Sequence, residues 1–238
     1  SSVKENHGLS FALTEPSNRG RAARFSSLTD YVLIPNSETL ENLGEFTMEA
    51  RVKLASLDRP IHTLVSRGTN ANEPYVWWLL DLRASENTTW VELGDAQGQY
   101  RATSNPLDWQ VGREYFLSFS WSNKTQSWVM TRDGAVVGSG TILRDLHSSD
   151  YPVRIGSYPD GVTSYFDGWI DEVRFYNRFV DSVELSEHFA GHFPNPAGLV
   201  GYWAFDTPID SESLTHAQRY YSKLTSPHFW VSFLPTFS

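Results

Sequence analysis

The sequence predicts an all-β chain whose strands form two antiparallel sheets packed face to face. Three observations predict it. Short runs that alternate apolar and polar residues recur with turn residues between them. The aromatic fraction is 14%, with nine Trp and eleven Tyr among 238 residues, and large rings suit the space between packed sheets. Finally, Asp133-Gly134 separates two β-type runs, a strong short-range hairpin signal because both residues tolerate positive φ.

The elements follow in chain order. Phe46 to Leu54 places Phe46, Met48, Ala50, Val52 and Leu54 on one face, the signature of a half-buried strand. Tyr75 to Leu82 is apolar on both faces and reads as a central strand. Thr89 to Leu93 and Tyr115 to Trp121 alternate again, and Ser127 to Arg132 leads into the Asp133-Gly134 turn and Ala135 to Val137. Pro152 to Gly156 and Gly168 to Tyr176 read as further strands. One short helix is predicted over Asp181 to Phe189: Asp181 caps it, acids occupy its first turn, Val183, Leu185 and Phe189 give a partial apolar face, and Gly191 stops it. Gly198 to Phe205 is the next strand. Residues 207–225 are polar, with a short helix conceivable over Leu214 to Leu224, and Phe229 to Pro235 is apolar on both faces. The expected division is a sandwich domain over 1–206 and a C-terminal extension over 207–238.

A chain of this length buries a large core without staples, and it has no cysteine, which excludes disulfides and thiolate metal sites. Nineteen Lys and Arg against 28 Asp and Glu give a net charge of −9. That balance argues against nucleic acid and anionic membrane as partners, since both need a basic footprint. No segment approaches the roughly 20 apolar residues of a membrane span. No charged and apolar leader opens the sequence, so secretion implies a signal peptide already removed. Two glycosylation sequons, at Asn87 and Asn123, fall in polar turns where an acceptor must lie.

Several stretches, taken in order, resemble the laminin-G-like family of concanavalin A-like lectins and glucanases. They are Asp30 to Pro35, Phe46 to Lys53 (with Arg51 where the family usually has Trp), Leu64 to Gly68, Arg132-Asp133-Gly134, Ile155-Gly156-Ser157, Tyr165 to Asn177 with its Ile170-Asp171-Glu172-Val173-Arg174 core, and Gly198 to Asp206. The position of that last strand after the helix also resembles the pentraxins. The resemblance covers roughly residues 8–206. It implies a two-sheet antiparallel jelly roll of about a dozen strands, with lectin, adhesion, accessory carbohydrate-binding or protein-contact roles.

The resemblance also frames the site candidates. Exposed rings would serve as sugar platforms, and Trp77, Trp78, Tyr158 and Tyr165 are the foremost, with Tyr75, Tyr100 and Trp109 also on strands or loops. Calcium is the cofactor candidate, because loop carboxylates and amides supply hard oxygen ligands. A pentraxin-like placement would use Asn72, Glu73 and Asp160; a laminin-G-like placement would use Asp30, Asp167 and Asp206. Either set would equally make turns and hairpin caps without metal.

Catalytic patterns are sparse. Laminarinase-type hydrolases carry an E-x-D-x-x-E strand, which no stretch of this chain matches, and the adjacent Asp171 and Glu172 are expected on opposite faces of their strand. Of the seven histidines only His188 and His192 have a metal-like spacing, across a helix end, and they are expected to be solvated. The reading is therefore a non-catalytic, secreted binding module, lectin-like or adhesive, for a glycan or an extracellular protein, with calcium as an aid. The first alternative is a structural subunit that oligomerises through residues 226–238, with Phe229 to Phe233 capping the sandwich or adding to a neighbour's sheet edge. The second is a glycan-active hydrolase or lyase.

Overall fold

The computed structural model describes residues 9–10, 13–17, 19–27, 29–41, 44–68, 78–95, 98–143, 151–159 and 164–206. Two antiparallel sheets form a jelly-roll sandwich. The first sheet contains β1 (Leu9–Ser10), β4 (Val32–Ile34), β6 (Ile61–Arg67), β7 (Trp78–Arg83), β8 (Thr88–Asp95), β9 (Gly98–Thr103) and β13 (Val153–Ile155), ordered β1-β4-β13-β6-β7-β8-β9. The second contains β2 (Leu13–Ser17), β3 (Gly20–Phe25), β5 (Glu45–Leu54), β10 (Glu114–Ser122), β11 (Ser127–Arg132), β12 (Ala135–Thr141) and β14 (Gly168–Tyr176), ordered β12-β11-β10-β5-β14-β3-β2. β15 (Leu199–Trp203) pairs with β14 as well.

The period-two pattern decides what lies between the sheets. Phe46, Met48, Ala50, Val52 and Leu54 of β5 all join the core, facing Leu80 and Leu82 of β7 and Val91 and Leu93 of β8. Phe46, Phe119, Trp121 and Trp128 cluster there with centroids 5.8 to 6.2 Å apart. Trp109 belongs to this core too, at 6% exposure, and packs edge-on to Tyr115 at 5.0 Å; it is no surface ring. Tyr100 packs partly buried against the same core. The β11–β12 hairpin turns at Asp133 (φ 53°) and Gly134 (φ 77°), as Asp-Gly predicts.

The outward residues of β5 meet different neighbours along the strand. Near its start Thr47 and Glu49 lie under helix α1 (Ser182–Phe189). Asp181 caps that helix by accepting from the amides of Val183 and Glu184, each at 2.9 Å. Leu185 joins Val129, Tyr176 and Val180 in a small second core. Two expectations change here. Val183 is 72% exposed, because Leu185 and His188, three residues apart, form the buried stripe instead. His188 is not solvated: it is fully buried, with Nδ1 2.6 Å from Glu49 Oε1, and stacks between Tyr176 and Phe193. His192 is exposed beside Glu187, so the two histidines do not converge.

β14 is the organising strand of the second sheet. One edge pairs along its length with β5. Its other edge is shared, with Gly168 to Ile170 pairing to β3 and Val173 to Tyr176 to β15. The register against β5 shifts between Asp171 and Arg174, and Glu172 takes a left-handed φ of 53°. Gly168 opens the strand at φ 153°, where an added Cβ would lie 2.1 Å from the Lys53 carbonyl oxygen. Just beyond β15, Asp206 accepts from the Arg21 amide at 3.0 Å.

Candidate functional site

Beyond helix α1, the outer face of the second sheet opens into a cleft of about 370 Å³. Its floor is set by strand register. Arg51 and Lys53 of β5 lie opposite Asp171 and Trp169 of β14, and Glu114 of β10 lies opposite Lys53. Ala22 of β3, one residue beyond the last paired position with β14, has too small a side chain to fill the space beside Asp171. Pro16, Ser17 and Gly112 form the rim.

Each polar group has a distinct role. Trp169 forms a wall, with the Arg24 guanidinium 4.5 Å and the Lys53 ammonium 4.2 Å from its ring centre, and its Nε1 donates to Glu15 at 2.8 Å. Arg24 is itself held by Asp167 at 3.3 Å and the Gly168 carbonyl at 3.1 Å. Lys53 has no ion-pair partner among the described residues. Arg51, at the family's usual Trp position, lies over Phe116 at 4.9 Å and donates to the Phe189 carbonyl at 3.1 Å, with Glu114 3.5 Å away. Burial lowers its pKa below the usual guanidinium value.

Asp171 stands out. It is 6% exposed and accepts the Glu172 amide at 2.8 Å through Oδ1. Although Arg51 is its cross-strand neighbour, no cation lies within ion-pair distance of it among the described residues. Burial pushes its pKa up to about 7; the Glu172 amide opposes that, and the Glu172, Asp206 and Glu114 carboxylates add to it. The two adjacent acids do not face opposite ways. The left-handed Glu172 turns its carboxylate toward Arg174 and the Tyr202 hydroxyl on the outer surface, the same side as Asp171.

The first sheet's outer face also carries charge, with its carboxylates buried and its arginines partly exposed. Trp90 lies under Arg83 at 3.8 Å and Arg101 at 3.5 Å, and those arginines pair with Asp81 at 3.1 Å and Glu92 at 2.6 Å. Asp81 is 1% exposed, and burial pushes its pKa to about 7 against the pull of Arg83. The carboxylates of this ladder are buried and each already holds an arginine, whereas Asp171 in the cleft holds none among the described residues.

The residues singled out from the sequence are scattered. Tyr165 is half-buried with Arg59 3.4 Å over its ring and donating to its hydroxyl, so that face is occupied. Tyr158 is half-buried near the end of β13. Trp78 pairs with Arg67 and Leu93 in the first sheet. Trp77, Asn72, Glu73 and Asp160 lie outside the described residues. Asp30 accepts from the amides and hydroxyls of Ser26 and Ser27, Asp167 from Arg24 and Ser56, and Asp206 from the Arg21 amide. They are not brought together, and no group of three or more metal-binding side chains forms among the described residues. Asn87 is exposed after a short 3-10 turn, and Asn123 sits in the β10–β11 turn. His62 is buried, with Nδ1 accepting the Asp167 amide at 3.3 Å, and burial lowers its pKa to about 4. It too departs from the solvated expectation. Trp169 and Lys53 were missed as site residues, although alternation with Ile170 and Val52 already placed both on an outward face.

Comparison with known proteins fits this architecture. A family model of the concanavalin A-like lectin/glucanases superfamily matches residues 25–186. Comparison with curated proteins found no match. Among solved structures, domain 4 of AbnA, an extracellular arabinanase from Geobacillus stearothermophilus in complex with arabinotriose, aligns with TM-score 0.57 and 19% identity over 73% of this chain and 79% of that one. A heptameric SAP-like pentraxin from Limulus polyphemus aligns at TM-score 0.56 and 15% identity, covering 83% and 89%. The NanB sialidase of Streptococcus pneumoniae aligns at TM-score 0.52 and 20% identity over 60% of this chain, which spans only 23% of that enzyme. No helix among the described residues is long and apolar enough to cross a membrane.

Proposed function

The chain belongs to the concanavalin A-like lectin/glucanase superfamily, and from that premise we propose that it is a non-catalytic, extracellular glycan-binding module whose site is the cleft on the second sheet. One observation carries the reading: a solvent-open cleft of about 370 Å³ combines an aromatic wall, Trp169, with the Lys53 ammonium, held over that ring but in no ion pair among the described residues, and an unpaired carboxyl, Asp171. Sugar sites need this mixture, since a sugar presents hydroxyls to polar groups and C–H faces to rings. The arabinotriose held by the arabinanase domain shows a neighbouring fold carrying such a ligand.

A glycan array followed by titration calorimetry tests the reading. W169A and K53A should each weaken binding of the best glycan about tenfold or more, the effect of removing one charged or aromatic contact. Unchanged affinity in both variants would move the site elsewhere. Glycoside hydrolysis is a second reading, favoured by the raised carboxyl of Asp171 in a cleft that also holds Glu114. Glu114 already lies within ion-pair distance of Arg51 and Arg19 at 3.5 and 3.9 Å, so binding without turnover is the expected outcome. Release of reducing ends that disappears in D171N would establish hydrolysis instead.

A further inference from the structure

We propose that the cleft selects glycans carrying a free, protonated amino group, a 2-amino-2-deoxy sugar unit, with Asp171 as the counter-ion. The inference rests on the glycan-binding reading above and names the ligand class.

The geometry points to a missing cation. Asp171 is more than nine-tenths buried and faces the cleft, with Oδ1 tied to the Glu172 amide and Oδ2 free of any partner among the described residues. Its cross-strand neighbour Arg51 is turned away, to the Phe189 carbonyl and Glu114. Charged and titratable groups approach from every surrounding element. β5 supplies Arg51 and Lys53, and β10 supplies Glu114. β14 adds Glu172 and Arg174, which pair with each other, and Glu172 also accepts from Tyr202 of β15. Asp206 follows β15, and the β2–β3 side brings Glu15, Arg19, Arg21 and Arg24. Most of these cations are committed: Arg174 to Glu172, Arg24 to Asp167, Arg21 to Thr14 and Arg51 to Phe189. At Asp171 burial first, and then the carboxylates of Glu172, Asp206 and Glu114, push the pKa up to about 7.

An ammonium group entering beside Ala22 would reverse that balance. It would form a charge-assisted hydrogen bond to Oδ2 and draw off the Asp171 proton. Acetylation of the ligand nitrogen would remove both the charge and the benefit. Lys53 lies one cross-strand row away, opposite Trp169, so it is placed to meet ring or hydroxyl oxygens of the same unit.

Calorimetry with oligomers of glucosamine and of N-acetylglucosamine, on the full chain at pH 6 and pH 7.5, tests this. The wild type should bind the free-amine oligomer about tenfold tighter at pH 7.5, the scale of a hydrogen bond to a charged group. At pH 6 that binding should release close to one proton, read as a heat that changes between phosphate and Bis-Tris buffers. D171N, with its fold checked by circular dichroism, should bring both oligomers within about twofold and abolish the proton release. Equal affinity of the two oligomers for the wild type, or a preference that survives in D171N, overturns the proposal while a neutral glycan still binds. Failure to bind any glycan on the array overturns the underlying reading along with it.

Discussion

At the scale of single residues, buried charge without a partner has a price in stability, and Asp171 shows it. A carboxyl whose pKa rises from 3.8 to about 7 on folding keeps its proton in the native state while the unfolded chain loses it. Stability on this account falls as pH climbs from about 4 to about 7 and stays low above. D171N removes the penalty, and at pH 8 it should stabilise the chain by about 2 to 4 kcal/mol, since one pKa unit is worth about 1.4 kcal/mol. Near pH 4 it should change little. Urea denaturation at both pH values measures the difference, and an equal effect at the two would contradict the account. His62 acts in the opposite sense: its pKa of about 4 makes the native state lose stability as pH falls from about 6.5 toward 4.

At the scale of elements, α1 is docked by a polar bolt rather than by apolar area alone. His188 and Glu49 are both buried and lie 2.6 Å apart, and Glu184 of the same helix is paired with Arg178. Removing one member of a buried pair strands the other, typically at about 3 to 5 kcal/mol. H188A should therefore cost that much, and adding E49A should cost little more, a coupling that a double-mutant cycle reads directly. Independent, additive losses would show that the two do not act as a unit. The helix itself was legible from its cap and stop residues, yet its buried stripe was not. His188 looked polar in sequence, and its partner Glu49 stands 139 residues away. The strands were easier, because period two reports directly which side faces the core: β5, β8 and β10 all follow it. The cleft was harder. Alternation with Ile170 already turns Asp171 outward; what stayed hidden is the left-handed Glu172, which breaks the alternation and brings a second carboxylate to the same face, and the register that brings Ala22 alongside.

At the scale of the whole molecule, one core joins both sheets, with Trp109, Trp121 and Trp128 inside it. Such a core unfolds as a unit. Tryptophan fluorescence and far-ultraviolet circular dichroism should give coincident denaturation curves over residues 1–206. Two separated transitions would show that the sheets are independent. The long-range pattern of the second sheet was legible only as a family resemblance, because pairing partners far apart leave no local mark. That same pairing has a consequence for biosynthesis. β5 is the central strand, and its neighbours β10 and β14 come much later in the chain, with Lys53 pairing to Glu114 and Thr47 to Tyr176. On a ribosome, β5 therefore emerges with both edges bare and keeps one bare until β14 is made. The outward charges of Glu49, Arg51 and Lys53 then guard that waiting strand against neighbouring nascent chains, before any of them has a site to serve.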